Sequence, residues 1–218
     1  MADNGGAAFD PPCAPWRALV NLTGTPLTIV HSDSGAETYL ASSGFAQVTC
    51  NKACVGVVHG VQAVYPGMVA RGSGHIVNTA SMAGLAPAPL LTPYAMTKHA
   101  VVGLSVSLRA EAAAYGVRVS ALCPSAIETP ILDSTGPADL PKPKWVPDTR
   151  KFLTRASGTP YPVEKLAEET LDAVEDDVGV IVIPARARIA WRAYRWAPSL
   201  FESMGAGLLR DARATKPK

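Results

Sequence analysis

The chain has 218 residues, enough for one globular domain that buries roughly 70% of its unfolded surface. Its 48% hydrophobic fraction is ordinary for an α/β protein, and 20 basic against 18 acidic residues leave a net charge of +2. That balance gives no general reason to expect nucleic acid or an anionic membrane as partner, and leaves small-molecule chemistry as the default.

The N-terminal MADNGGAAFDPP lacks the basic-then-apolar order of a secretion signal, and no apolar run reaches about 18 residues, so neither export nor a membrane span is expected. Cys13, Cys50, Cys54 and Cys123 show no metal-ligand pattern, because Cys50-x-x-x-Cys54 has no matching second pair. They read as reduced thiols of a cytoplasmic protein without a metal.

Residues 1–16, rich in Gly, Ala, Pro and Asp, read as a loose arm. The next stretch, 17–54, is atypical. Within it, 17–30 carry two short apolar runs around Thr23-Gly24-Thr25-Pro26, as two strands or a strand and a turn would. A helix is expected from about Ala36 to Ser42 and a strand near Phe45 to Cys50. From Val55 to Arg71 the pattern is that of a helix with Pro66 as a kink, closed by Gly72. Ile76-Val77 then marks a buried strand that ends at Ser81.

The helix that follows runs to about Tyr115, with Ala100, Val101, Leu104, Leu108 and Ala112 as its apolar stripe and Gly116 beyond its end. Val117 to Cys123 reads as the next strand. Residues 133–160 have little periodicity and many prolines, with Trp145 either lining a pocket or anchoring the segment. A helix over 162–175 places Val163, Leu166, Ala167, Leu171 and Val174 on one face, and Val178 to Ile183 is the last buried strand. In the tail, 185–218, four arginines (186, 188, 192, 195) alternate with Ile189, Trp191, Tyr194 and Trp196. A basic aromatic helix lies on a membrane surface, grips a nucleic acid, or packs on its own domain or a second subunit. Pro198 and Gly205 interrupt the run. His59, His75 and His99 read as packed or solvated.

The chemistry concentrates between Gly74 and Leu132. Tyr94 and Lys98 stand four apart, so a helix puts them on one face, and Ser81 lies thirteen residues before Tyr94. A phenol that ionises near pH ~10 in water gains phenolate character when an ammonium stands within about 4–6 Å. Lys98 is the supplier. A serine hydroxyl aimed at the same point holds a substrate oxygen while Tyr94 gives or takes its proton, which is acid–base work at a carbonyl or carbinol carbon.

This constellation resembles the Ser, Tyr and Lys centre of the short-chain dehydrogenase/reductase family. Pro124-Ser125-Ala126-Ile127-Glu128-Thr129 resembles that family's Pro-Gly-x-Ile-x-Thr segment, with Ser125 where glycine stands in relatives. The resemblance covers about Val55 to Ile183. It implies a single Rossmann-type domain over 1–218, with a doubly wound, mostly parallel sheet and helices on both faces. It also implies NAD or NADP as cofactor and hydride transfer to or from an alcohol or carbonyl substrate. Tyr94 is then the acid/base and Ser81 the orienting hydroxyl. Lys98 acts on Tyr94 and the nicotinamide ribose, and Pro124, Ile127 and Thr129 border the nicotinamide. Residues 55–132 are the catalytic core, 133–160 the substrate lid, 161–184 the last helix and strand, and 185–218 a helical tail. Helices 55–71 and 95–115 would pair subunits into a homo-oligomer, as in relatives.

The family's Thr-Gly-x-x-x-Gly-x-Gly loop has no counterpart. Thr23-Gly24 is followed by Thr25-Pro26-Leu27, and the next glycine is Gly35. The first βα units are therefore shortened or atypical. The family's catalytic asparagine is represented either by Asn51, two or three residues early, or by Asn21 within Val20-Asn21-Leu22, far too early. A second reading therefore stands beside the enzyme: a binding or structural relative, or a truncated product, that keeps the later half of the fold but does not hold the pyrophosphate.

Overall fold

The computed structural model of the chain describes residues 28–31, 37–40, 48–50, 52–133 and 148–214. They fall into two units, Met1–Gly60 and Val61–Lys218. In the first, β1 (Thr28–His31), β2 (Glu37–Leu40) and β3 (Val48–Cys50) form an antiparallel sheet in that order. Thr28 pairs with Leu40, His31 with Glu37, and Glu37 in turn with Cys50. The strand expected near Phe45 to Cys50 is present as β3. The helix expected from Ala36 to Ser42 is not, since Glu37–Leu40 is a strand. Thr38 and Tyr39 are strand formers, and pairing on both sides outweighs the weak helical signal of so short a run. The pyrophosphate-loop candidates, Asn21 and Asn51 lie outside the described residues.

Helix α1 spans Lys52–Arg71 and continues through Pro66. It closes as its sequence indicates: Gly72 adopts φ +69°, and the Gly72 and Ser73 N–H groups donate to Val69 and Met68 carbonyls at 3.1 and 3.2 Å.

The second unit holds the parallel α/β sheet of Rossmann type, in the order β4 (Gly74–Thr79), β5 (Val117–Pro124), β6 (Val180–Ile183). Gly74 pairs with Val117 and Thr79 with Leu122, while Ala121 pairs with Val180 and Pro124 with Ile183. Parallel neighbours need crossovers. Helix α2 (Thr92–Ala112) supplies the first, and α3 (Thr149–Ser157) and α4 (Val163–Glu175) lie along the second. The middle strand, β5, is buried on both faces: Val117, Val119, Ala121 and Cys123 on one and Ser120 on the other.

The buried face of α2 runs Val101, Ser105, Leu108, Ala112, with Thr97 and Lys98 at its start. Ala100 and Leu104, expected there, are only half-buried. Ser105 displaces them because it is fully satisfied, donating to the Val101 carbonyl at 2.7 Å and accepting from Asn78 Nδ2 at 3.0 Å. The face of α4 is rotated likewise. Leu166, Thr170 and Val174 are half-buried, whereas Val163, Ala167 and Leu171 are exposed. The 133–160 stretch, expected to lack periodicity, contains α3, whose first turn is capped by Asp148 Oδ1 accepting from Lys151 N–H at 2.9 Å. Trp145 lies outside the described residues. The tail forms α5 (Ala185–Trp196) and α6 (Pro198–Ala214), with Tyr194 and Phe201 in edge-to-face contact at 5.8 Å across the break at Ala197.

At the start of the parallel strands, Arg109 joins α2 to the β6 side. Its Nη1 donates to Val119 O and Asp177 Oδ1 at 2.8 and 2.9 Å, and Nη2 donates to Asp177 O at 2.8 Å. Beside it, Ser120 Oγ donates to Val178 O at 2.8 Å and lies 2.8 Å from His75 Nε2. Having committed its proton, Ser120 accepts from His75, so His75 carries its proton on Nε2. Its Nδ1 is buried without a partner among the described residues.

A second proton on His75 therefore has no acceptor, and burial, then the Arg118 charge, hold its pKa below the ordinary 6.5 against the pull of Asp177. The stability this neutral imidazole contributes is complete above about 6.5 and is lost as pH falls toward the lower folded value. Chemical denaturation across pH 7.5 to 5 should show stability falling with acidity, by less in His75→Gln, which keeps a donor for Ser120. Equal slopes in the two proteins would remove His75 from the account.

Candidate active site

Three elements supply the site. Strand β4 ends at Thr79, and Ser81 follows in extended conformation (φ −174°, ψ 162°) as cap of the 3₁₀ turn Met82–Gly84. Its Oγ accepts from Ala83 N–H at 3.2 Å. That turn is pressed onto α2. A Cβ on Gly84 would stand 2.5 Å from the Lys98 carbonyl oxygen and 3.1 Å from Val102 Cγ2. Glycine here lets the serine turn approach the helix backbone, a contact that any side chain would push apart.

Tyr94 sits in the first turn of α2, which Pro93 opens. Thr97 Oγ1 donates to the Tyr94 carbonyl at 2.8 Å. Lys98, one turn further on, is 7% exposed, and its Nζ donates to the Thr79 carbonyl at 3.0 Å. The same Nζ stands 5.5 Å from the centre of the Tyr94 ring, within cation–π range. Tyr94 is 41% exposed. The ammonium thus lies inside with the phenol outside it, and the ammonium meets the strand end two residues before Ser81. Cys123, buried on β5, is no rival nucleophile. Burial pushes its thiol up to about 11, against smaller opposing effects of the Ser81 N–H and the Lys98 charge, so the thiol stays neutral.

The segment after β5 is held from two sides. Ser125 N–H donates to Ile183 O at 2.9 Å, and Ile127 pairs with Tyr161 in a parallel bridge. Tyr161 N–H donates to Ala126 O and Glu128 N–H to Tyr161 O, both at 2.8 Å. Thr129 Oγ1 reaches Ile127 O at 3.4 Å, and Leu132 N–H closes the next turn onto Thr129 O at 3.1 Å. Pro124, Ile127 and Thr129 therefore lie on one pinned strip.

Arg150, which the sequence reading did not single out, closes the other side. Its Nη1 and Nη2 donate to Glu128 at 2.8 and 2.7 Å, and its Nε and Nη2 to Asp133 at 2.7 and 2.8 Å. Exposed ion pairs are ordinarily weak, but a guanidinium forked onto two carboxylates that flank one short turn is the favourable geometry. Hydrogen bonding from Arg150 holds both carboxyls below their usual values. The signal was present in part, since Asp148 before a run of helix formers marks a helix start and puts Arg150 in its first turn.

The short chain dehydrogenase family profile matches residues 18–139, more than half of the sequence, and the chain belongs to that family. The match reaches upstream of Val55 to residue 18 and takes in Val20-Asn21-Leu22. Oxidoreductase UcpA of Escherichia coli is 38% identical over 114 residues, which are 52% of this chain and 41% of that protein. The 2-keto-3-deoxy-L-fuconate dehydrogenase of Xanthomonas campestris is 46% identical over 72 residues, 33% of this chain and 24% of that protein. The matches span less than half the length of these curated relatives. Among solved structures, a short chain dehydrogenase/reductase from Burkholderia phymatum in complex with NAD is similar at a TM-score of 0.58. It is 29% identical, and the likeness covers 70% of this chain and 58% of that one. A short chain dehydrogenase from Burkholderia cenocepacia in complex with NADP shares the fold at a TM-score of 0.55 and 19% identity, over 74% of this chain and 57% of that one.

Removing the guanidinium should loosen the strip that carries Thr129. In Arg150→Gln, amide hydrogen exchange at Leu132, the donor of the Thr129 turn, is expected to accelerate by at least about tenfold, with exchange in β5 unchanged. Unaltered exchange at Leu132 would show that the Tyr161 bridge suffices.

Proposed function

We propose that the chain is an NAD(P)-dependent oxidoreductase acting on an alcohol or carbonyl substrate, with Tyr94, Ser81 and Lys98 as its catalytic residues. The observation that carries this reading is the buried Lys98 ammonium, bonded at 3.0 Å to Thr79 O and 5.5 Å from the Tyr94 ring centre. A lysine that is 7% exposed gives up hydration, and a site that orients it beneath an accessible phenol suits proton transfer better than it suits structure alone.

The described residues fit the nicotinamide end of the cofactor: a phenol and an ammonium on α2, and a threonine on the strip after β5. NAD(P) bound there supplies or accepts the hydride. For reduction, Tyr94 gives its hydroxyl proton to the oxygen that becomes the alcohol, and for oxidation it takes that proton back. Ser81, whose oxygen accepts from Ala83 N–H, keeps its own O–H for the substrate oxygen. Lys98 stabilises the phenolate that forms. Ile127 and Thr129 would touch the carboxamide end of the cofactor with Pro124 beside them, and the Arg150 fork would keep that strip in place.

At the other end, the sequence has Thr25-Pro26-Leu27 where the family has glycines that let backbone N–H groups meet a pyrophosphate; proline has no N–H to offer. That sequence favours a weakly binding enzyme and, as the second reading, a relative without catalysis. We place the protein in the cytoplasm as a homo-oligomer. In support of an oligomer, Tyr65, Pro66 and Val69 of α1 and Ala114 and Tyr115 past the end of α2 line an open apolar groove. No helix among the described residues is long and apolar enough to cross a membrane.

The test is reduction of a panel of ketones and aldehydes at saturating NADH or NADPH. Tyr94→Phe should lose at least about two orders of magnitude, the usual scale for an acid–base group. Turnover in Tyr94→Phe equal to wild type would move the chemistry elsewhere. No turnover in the wild type would leave the non-catalytic reading.

A further inference from the structure

Helix α5 carries three parallel rows of side chains. Ala187, Trp191 and Tyr194, spaced by four and three, face the domain and are buried or half-buried. One residue on, at the same spacing, Arg188, Arg192 and Arg195 form an exposed cationic row. One residue further, Ile189, Ala193 and Trp196 form an exposed row that is wholly apolar. Trp196 is 90% exposed and Ile189 68%. Across the corner, Leu200 and Met204, one turn apart on α6, are 57% and 60% exposed. A single exposed apolar residue needs no explanation, but an indole almost wholly in water at the end of an apolar row does.

From these rows we infer that the α5–α6 corner is a docking face for an anionic phospholipid surface. Charge decides the occupant. Helix α5 has four arginines and no acidic residue, whereas the whole chain has a net charge of only +2. Arg186 is held by the Ser157 and Thr159 carbonyls and Arg188 Nε by Val182 O at 3.2 Å. Arg192, Arg195 and the terminal nitrogens of Arg188 are therefore the cations beside the apolar row, against one exposed acid, Glu202, between Leu200 and Met204 on α6. There arginine stems lie along the acyl boundary and guanidinium heads reach headgroup phosphates. A second copy packed antiparallel across a two-fold axis would set the cationic row against itself, and one packed parallel would leave the arginines of each copy without an anion. A nucleic acid would satisfy the arginines, but its phosphates and sugars offer nothing to Ile189, Leu200 and Met204. A lipid surface accepts both rows at once, and tryptophan is the side chain that favours its interface. On the function proposed above, the catalytic centre would then work on substrates at or near a membrane face.

The experiment is co-sedimentation of the full chain with vesicles of phosphatidylcholine alone and of phosphatidylcholine mixed with phosphatidylglycerol. The wild type is expected on the mixed vesicles only, and to be released by raised salt. Ile189→Ser with Trp196→Ser, and separately Arg192→Glu with Arg195→Glu, should each weaken that binding by at least about tenfold. Circular dichroism melts would verify that both variants fold. Should one not fold, the salt release and lipid selectivity of the wild type still decide. Wild type remaining in the supernatant with both vesicles overturns the proposal, as does binding that neither variant weakens. An oligomer dissolved by the Ile189 and Trp196 changes without any vesicle binding assigns the face to a second copy. Binding of a single-stranded oligonucleotide in place of vesicles assigns it to nucleic acid.

Discussion

The site depends on one buried contact, the bond from the Lys98 ammonium to the Thr79 carbonyl. A cation almost out of water is costly unless it is bonded, and this one is bonded to the end of the strand that leads into Ser81. The contact fixes the rotation of α2 and therefore the place of Tyr94. On the other side of the joint, Gly84 lets the serine turn lie against the Lys98 backbone. A helix start, a strand end and a serine turn are locked by a single side chain and a missing one. That is how Ser81, Tyr94 and Lys98, thirteen and four apart in the sequence, come to stand around one joint of the fold.

The strip after β5 obeys a different logic. No buried charge anchors it. Backbone pairing with Tyr161 holds one edge and the Arg150 fork the other, so Thr129 is positioned by ties to β6, to α3 and to the stretch before α4. Ion pairs in solvent are sensitive to salt and pH, whereas backbone bridges are not. The strip therefore has one firm support and one adjustable support, and the adjustable one sits beside the residues expected to border the nicotinamide.

Much of this was legible in the sequence where period and spacing speak directly. Strands β5 and β6, the closure of α1 by Gly72, and the placing of Tyr94 and Lys98 on one helix face follow from local rules. Strand β4 stops at Thr79, short of the expected Ser81, and α2 ends at Ala112, with Gly116 closing the 3₁₀ turn Ala113–Tyr115 that follows it. Partner choice across the fold was not legible. Arg150 finds carboxylates 17 and 22 residues away, and nothing local says that it will. Ser105 reads as a gap in an apolar stripe until Asn78 is seen to reach it. The expected helix at Ala36 to Ser42 failed because strand pairing overrides a propensity spread over so few residues. The outward rows of α5 were readable as a pattern, but only exposure shows that the apolar one is uncovered.

The central proposal is that this chain holds NAD(P) by its nicotinamide end, with a dissociation constant at or above roughly 1 mM because Thr25-Pro26-Leu27 follows Thr23-Gly24 where the family's sequence has its glycines. Saturation-transfer NMR is suited to so weak a complex, and it reports which protons of the ligand touch the protein. With NADH or NADPH at millimolar concentration, the account expects strong transfer to the nicotinamide protons, weaker transfer to the adenine protons, and loss of the nicotinamide signal in Lys98→Met. Transfer that is strongest at the adenine and indifferent to Lys98, or no transfer at all, would contradict it.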